Sequence, residues 1–154
     1  MQAAVSAPTA HDRLSRLMRV IALLAVLGVA VSSVSLYHHF ATSKTSFCDI
    51  GELFNCDLVN RSEYSTLAGV PVALIGIVGY LAILAFATVY RAKAETPLIL
   101  LIASIAGLAF ALRLTYVEAR VLHAWCILCL SSLATIFAIT VLTAISAIGS
   151  RRRA

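Results

Sequence analysis

Four apolar stretches, each long enough to cross a lipid bilayer, constrain the fold of this chain more than any other feature. An α-helix needs about 20 mainly apolar residues to cross a hydrocarbon core of roughly 30 Å. The predicted helices run over residues 17–40, 67–90, 97–118 and 121–148. Hydrophobic residues make up 61% of the chain and charged residues only 12%, whereas soluble domains average about 25% charged residues. We therefore expect an all-α integral membrane protein, folded as a bundle of four transmembrane helices within residues 17–149.

Basic residues predict how these helices are oriented. They cluster before the first helix, between the second and third, and after the fourth, at Arg13, Arg16, Arg19, Arg91, Lys93, Arg151, Arg152 and Arg153. Lys and Arg are enriched in cytoplasmic loops. Both termini are therefore expected in the cytoplasm, as a disordered tail over 1–16 and a basic tail over 150–154. The net charge of +5 is then a topology signal, and no nucleic-acid partner is expected.

The first apolar stretch has a second interpretation, as a cleaved signal peptide. Small residues at Ser33-Val34-Ser35 follow the apolar run, as they do before a signal-peptidase site. The run is long for a signal peptide, which favours a retained helix. Cleavage would leave the predicted orientation of the remaining helices unchanged.

All four cysteines fall on the predicted outer side of the membrane. Cys48 and Cys56 form a C-x7-C motif in the outer loop, residues 41–66. Cys126 and Cys129 form a C-x-x-C motif in the first turns of the fourth predicted helix. Disulfides persist in oxidising compartments, and a helix N-terminus lowers the pKa of a thiol. We expect the helix pair to make and break its disulfide, and the loop pair to offer its sulfurs to a partner.

Each cysteine pair also has a simpler interpretation. The loop pair could be a structural disulfide, and the helix pair two small buried apolar residues. The four together could bind zinc, although zinc ligand pairs usually lie on short loops. Two pairs on one oxidising face favour a redox relay, and no metal is predicted. The chain has no haem-attachment or dinucleotide motif. By elimination, the electron acceptor expected at the bilayer is a quinone.

The order of these motifs resembles the vitamin K epoxide reductase family, especially its bacterial members. The resemblance rests on the motif Cys48-x7-Cys56-Asp57-Leu58-Val59, the serine Ser62, the run Leu67-Ala68-Gly69-Val70-Pro71, and the late C-x-x-C. It covers roughly residues 48–132. It implies a four-helix bundle around a quinone of the menaquinone, ubiquinone or vitamin K type, capped by the cysteine loop and a short helix.

The resemblance also implies a role for each cysteine. A DsbA-like partner with a thioredoxin fold would pass electrons to Cys48, and Cys56 would exchange with Cys126. Cys129 would then meet the quinone. Cys48 and Cys56 would act as the shuttle, whereas Cys126 and Cys129 would form the active-site disulfide.

Four further residues near these motifs carry predictions. The family has a serine at the position of Ser62, where the hydroxyl is expected either to orient the quinone or to cap a local helix. Trp125 is expected either to contact the quinone or to anchor the chain among lipid headgroups. Asn55 is expected to N-cap a short helix, with a tight turn as the alternative. Leu133 stands where the vertebrate enzymes have a tyrosine, which counts against epoxide as a substrate.

The expected function is that of a membrane thiol-disulfide oxidoreductase in the bacterial inner membrane, which reoxidises a DsbA-like protein and reduces a quinone. Many bacterial relatives carry a fused thioredoxin-like domain, and this chain stops at Ala154, so a separate partner is expected. Three alternatives stay open. They are a vitamin K epoxide or quinone reductase proper, a DsbB-family enzyme, and a non-catalytic bundle with structural disulfides or a zinc site.

Overall fold

The computed structural model describes residues 10–41, 48–50, 54–90, 93 and 95–151. Within these ranges the chain is mainly helical. In chain order the helices are α1 (Ala10–Phe40), the short α2 (Cys56–Asn60), α3 (Val72–Thr88), α4 (Thr96–Val117) and α5 (Ile127–Arg151). Four short strands form two antiparallel pairs, β1 (Asp49–Ile50) with β2 (Phe54–Asn55) and β3 (Thr66–Leu67) with β4 (Val70–Pro71).

Three helical segments in the described ranges are long and apolar enough to span a bilayer, namely Asp12–Phe40, Thr96–Leu122 and Ile127–Gly149. The fourth long helix, α3, is apolar but has only 17 residues. At about 1.5 Å per residue it is about 26 Å long, slightly less than the roughly 30 Å hydrocarbon core. The chain is thus a helical membrane protein.

Helix α1 extends further toward the N-terminus than predicted. The sequence predicts a disordered tail over 1–16, but α1 begins at Ala10; residues 1–9 lie outside the described residues. Asp12 stands in the first turn, where a carboxylate is favourable beside the positive end of the helix dipole. At the other terminus α5 continues to Arg151, into the predicted tail.

The second predicted helix, over 67–90, begins later in the structure because a tight turn takes up its first residues. Ala68 and Gly69 connect β3 to β4 with φ angles of 52° and 82°. These are the left-handed values that a type I′ turn requires at both central positions. An α-helix cannot pass through two such residues, so α3 starts only at Val72.

The last predicted helix, over 121–148, also begins later. Helix α4 continues as a π-helical turn, Glu118–Leu122, and His123 then adopts a left-handed φ of 50°. A left-handed residue commonly ends a helix. Cys126 therefore precedes α5, and the expectation that it lies inside the first turns of that helix is corrected.

An apolar core fills the half of the bundle that is distant from the cysteines. Helix α1 packs against α3 and α5, and α4 packs against α5. The core consists of Met18, Ile21, Ala25, Tyr80, Ile83, Ala87, Leu100, Ile136 and Ile139. The ring of Tyr80 lies directly on Gly28, where a Cβ atom would collide with it. This glycine therefore lets α1 and α3 approach closely, as small residues do between membrane helices.

Candidate redox site

The first cysteine pair is a disulfide between Cys48 and Cys56, whose Cα atoms are 5.7 Å apart. The pairing of β1 with β2 runs the chain back antiparallel, so the residue before β1 and the residue after β2 meet. Asn55 then caps α2, because its side-chain oxygen accepts a hydrogen bond at 2.8 Å from the backbone N–H of Leu58. The predicted N-cap is confirmed, and Cys56 is the first residue of α2.

Cys126 lies in the same buried cluster as this disulfide. The backbone N–H of Asn55 donates to the carbonyl of Trp125 at 3.1 Å, which joins the segment before α5 to β2. Cys126 is fully buried and packs in one apolar cluster with Cys48 and Cys56. Cys129 packs against this cluster, so the structure brings all four predicted redox cysteines together.

The second cysteine pair occupies the N-terminus of α5. The carbonyl of Cys126 accepts the first hydrogen bond of the helix, from Leu130 at 3.0 Å. Its Sγ atom accepts a hydrogen bond from the backbone N–H of Cys129 at 3.4 Å, as an N-cap side chain does. Cys129 is half-buried and, like Cys126, is a free thiol.

The electrostatic surroundings of Cys126 favour its thiolate. A hydrogen bond with the Cys129 side chain lowers the pKa of the Cys126 thiol, while burial and the charge of Glu118 act in the opposite direction. A hydrogen bond to the charged form stabilises that form, and the thiolate is the form that attacks a disulfide. Cys126 is thus placed to exchange with a neighbouring sulfur.

Cys129 faces a large cavity between the four long helices. The cavity has a volume of about 390 Å³ and is lined mainly by apolar side chains. Its polar groups include those of Ser35, Asn60, Tyr80 and Ser132, and the Tyr80 hydroxyl donates to the Ser132 carbonyl at 2.9 Å. Small-molecule sites are typically apolar cavities of about 300–1,000 Å³ with a few polar groups. The cavity therefore fits a flat, mostly apolar ring with polar oxygens, such as a quinone.

Asn60, which the sequence did not mark as a site residue, belongs to this site. It is 5% exposed; its Oδ1 accepts from the Ser35 hydroxyl at 2.6 Å and its Nδ2 lies 3.9 Å from the Cys126 sulfur. Its carbonyl is also in a hydrogen bond with the His39 ring. In the sequence Asn60 is a polar residue in a loop, and no local signal reveals these distant partners.

Glu118 is the second site residue that sequence reasoning missed. It is 2% exposed, and its Oε2 accepts a hydrogen bond at 3.1 Å from the backbone N–H of Cys126. Its other oxygen, Oε1, is buried without a hydrogen-bond partner among the described residues. In the sequence, the feature that could have identified Glu118 is its position at the end of an apolar stretch, since ionisable residues at membrane depth are commonly functional.

Ser62 and Trp125, the other predicted quinone contacts, have different surroundings. The Ser62 hydroxyl donates to the carbonyl of Val59 at 2.8 Å and does not cap the short 3₁₀ turn Glu63–Ser65 that follows. Neither Ser62 nor Trp125 is among the described residues that line the large cavity. Their roles toward a quinone stay predictions, whereas Cys129 lines the cavity.

Within the part of the chain that the structure describes, no group of three or more His, Cys, Asp or Glu residues is arranged to hold a metal ion. His38 is buried, and its Nδ1 lies 3.8 Å from a carboxylate oxygen of Asp57, the residue after Cys56. This contact links α2 to the end of α1.

Comparison with known proteins identifies one family. A family model described as "Vitamin K epoxide reductase family" matches residues 19–144, which is most of the chain. The matched range contains all four cysteines together with Asn60 and Glu118. No curated protein matches the chain with significant similarity.

Proposed function

Because the chain belongs to the vitamin K epoxide reductase family, we propose that this membrane oxidoreductase reoxidises a DsbA-like, thioredoxin-fold protein and reduces a membrane quinone. One observation carries the proposal. A buried disulfide, Cys48–Cys56, shares a cluster with the free thiol of Cys126, and Cys129 lines an apolar cavity three residues further on.

The protein steps are thiol–disulfide exchanges through mixed disulfides. A thiolate of the partner attacks the Cys48–Cys56 bond at Cys48, and the partner's second thiolate resolves the mixed disulfide, which leaves Cys48 and Cys56 reduced. The Cys56 thiolate then attacks an oxidised Cys126–Cys129 pair at Cys126, and Cys48 resolves the Cys56–Cys126 disulfide. Each pair of attacks moves two electrons one step inward. Cys48 is only 1% exposed, so the first attack requires the loop to move and uncover its sulfur.

The cavity residues would hold the quinone next to Cys129. A bound quinone accepts two electrons and two protons. Apolar side chains of α1, α3, α4 and α5 would surround its apolar part, while the hydroxyl of Ser35 and the amide of Asn60, which also line the cavity, could bond its polar oxygens. Leu133 replaces the tyrosine of the vertebrate enzymes, so epoxide is not proposed as the substrate.

We further propose that all four long helices span the bacterial inner membrane, with both termini in the cytoplasm and the cysteines on the outer side. The β3–β4 turn, which directly precedes α3, contains the apolar residues Leu67 and Val70. The positive-inside rule supports the orientation, and the outer side supplies the oxidising conditions that a disulfide relay needs.

A quinone-reduction assay tests the proposal. Purified protein in detergent is mixed with a soluble ubiquinone or menaquinone analogue and a reduced DsbA-like dithiol, and quinone absorbance is followed. We expect one quinone reduced for each partner dithiol oxidised. The control is a monothiol variant of the partner, which cannot complete the exchange. Absence of quinone consumption with the dithiol partner would refute the proposed reaction.

A further inference from the structure

Cys129 lines two cavities of very different size. The large apolar one is the proposed quinone site. The small one has a volume of about 20 Å³, and its lining includes Cys129, Glu118, Asn60, Ser62 and Tyr64. A polar cavity holds one water molecule when its volume exceeds about 10–15 Å³. Glu118 and Cys129 thus line one small cavity, which has room for a water molecule and shares Asn60 and Cys129 with the quinone site.

The carboxyl group of Glu118 lies beside the Cys126–Cys129 pair. One oxygen accepts the backbone N–H of Cys126 at 3.1 Å, and Glu118 lines the small cavity together with Cys129. The other oxygen has no hydrogen-bond partner in the described ranges. A purely structural role would need only the first oxygen, and a buried unsatisfied oxygen is unfavourable. The second oxygen is therefore available to take a proton.

We propose that Glu118 is a catalytic residue that carries a proton from the Cys126–Cys129 dithiol to the quinone, an inference that rests on the proposed function. The two S–H bonds break and one S–S bond forms, which releases two electrons and two protons. Glu118 accepts the Cys129 proton as that sulfur becomes a thiolate, passes it through the small cavity to a quinone oxygen, and then carries the Cys126 proton by the same route. The quinone gains both electrons and both protons, and Glu118 returns to its starting state.

The first test is the Glu118→Gln variant in the quinone-reduction assay. Glutamine keeps an oxygen for the Cys126 N–H but cannot carry a proton. We expect kcat to fall about 100-fold or more, as general acid–base catalysis contributes about 10²–10⁴. The KM for quinone should stay within about twofold, since Glu118 is not among the described residues lining the large cavity. Unchanged kcat would overturn the proposal.

A spectroscopic test needs no quinone. Chemical reduction of the full-length protein should change a carboxyl band in the infrared difference spectrum, and Glu118→Gln should remove that band. The matched control is Glu63→Gln, an exposed carboxyl in the same loop region, which should retain it. If the band survives in Glu118→Gln, the proton-carrier role is wrong.

Two further results separate the possible failures. If the wild type shows the band but reduces no quinone, the proposed function fails while the coupling of Glu118 to the thiols stands. If Glu118→Gln does not fold, Glu118→Asp keeps the proton-carrying group on a shorter side chain. It should then retain the band with kcat reduced about tenfold or more, and full wild-type kcat would contradict the need for this placement.

Discussion

The two halves of the helix bundle bury different kinds of polar side chain. In the half distant from the cysteines, apolar residues such as Ile139 are buried together with small hydroxyl residues such as Ser104. At the cysteine end, His38, Asn60 and Glu118 are buried as well. An apolar core contributes stability in proportion to how well it is filled, whereas buried polar groups are stable only with their own partners. Substitutions should therefore reduce stability in the first half and activity in the second.

The largest expected effect concerns which cysteines can meet at the cysteine end. In the Cys48→Ala/Cys129→Ala double variant, only Cys56 and Cys126 remain, and they pack in one cluster. We expect a Cys56–Cys126 disulfide in most molecules, measured by mass spectrometry of alkylated peptides without reductant. The matched control, Cys48→Ala/Cys126→Ala, leaves Cys56 with Cys129, and we expect mainly free thiols. Equal cross-linking in both variants would contradict the relay order.

The next effect tests the apolar half. Ile139 is fully buried, and Ile139→Ala should lower the free energy of unfolding by about 2–5 kcal/mol, because it removes packed atoms and leaves a cavity. Ile102→Ala, at a position 62% exposed, should change it by less than about 0.5 kcal/mol. Unfolding in detergent followed by circular dichroism measures both. Quinone reduction per folded molecule should stay unchanged in Ile139→Ala. If this variant lost activity but not stability, the predicted difference between the two halves would be wrong.

A smaller effect is expected for Asn60, which ties α2 to α1. Asn60→Ala deprives the Ser35 hydroxyl of its acceptor, and such a loss costs about 1–3 kcal/mol when the site is buried. Disulfide exchange between Cys56 and Cys126 should also slow several-fold, because α2 is held less firmly. The control is Ser33→Ala, whose exposed hydroxyl bonds only within α1. If both variants exchange disulfides at the wild-type rate, the hydrogen bond from Ser35 to Asn60 has no role in the relay.

The apolar half of the fold could be predicted from the sequence because hydrophobic length is a local property. Helices α1 and α4 therefore lie close to the predicted segments. The starts of α3 and α5 were displaced because Ala68 and His123 adopt left-handed conformations. Alanine rarely adopts such a conformation, and histidine, although enriched there, adopts it in only a small minority of cases. In α5 the displacement accompanies a long-range bond from Asn55 to Trp125.

At the cysteine end, only the features that belong to local sequence motifs could be predicted. The cysteine spacing and the cap at Asn55 were readable because both depend on neighbouring residues. Asn60 and Glu118 were missed because their significance comes from burial and from partners elsewhere. Ser35 is 25 residues from Asn60 in sequence, and Cys126 is eight residues from Glu118 across a change of helix. A polar side chain in a loop does not reveal that it is buried.

The smallest expected effect is a shift in the pH dependence of the Cys126 reaction. It distinguishes the contribution of the hydrogen bond with Cys129 from the contribution of burial. The bond with Cys129 lowers the Cys126 pKa, so removing it should raise that pKa and leave less thiolate at neutral pH. In Cys129→Ala, the attack of Cys126 on the Cys48–Cys56 disulfide should require a higher pH than in Cys129→Ser, whose hydroxyl still donates. At several pH values, alkylation of the free thiols stops the exchange, and mass spectrometry then gives the amount of mixed disulfide formed. Because both variants leave the burial of Cys126, the Glu118 charge and the backbone hydrogen bonds in place, identical pH profiles would mean that the Cys129 side chain does not set its reactivity.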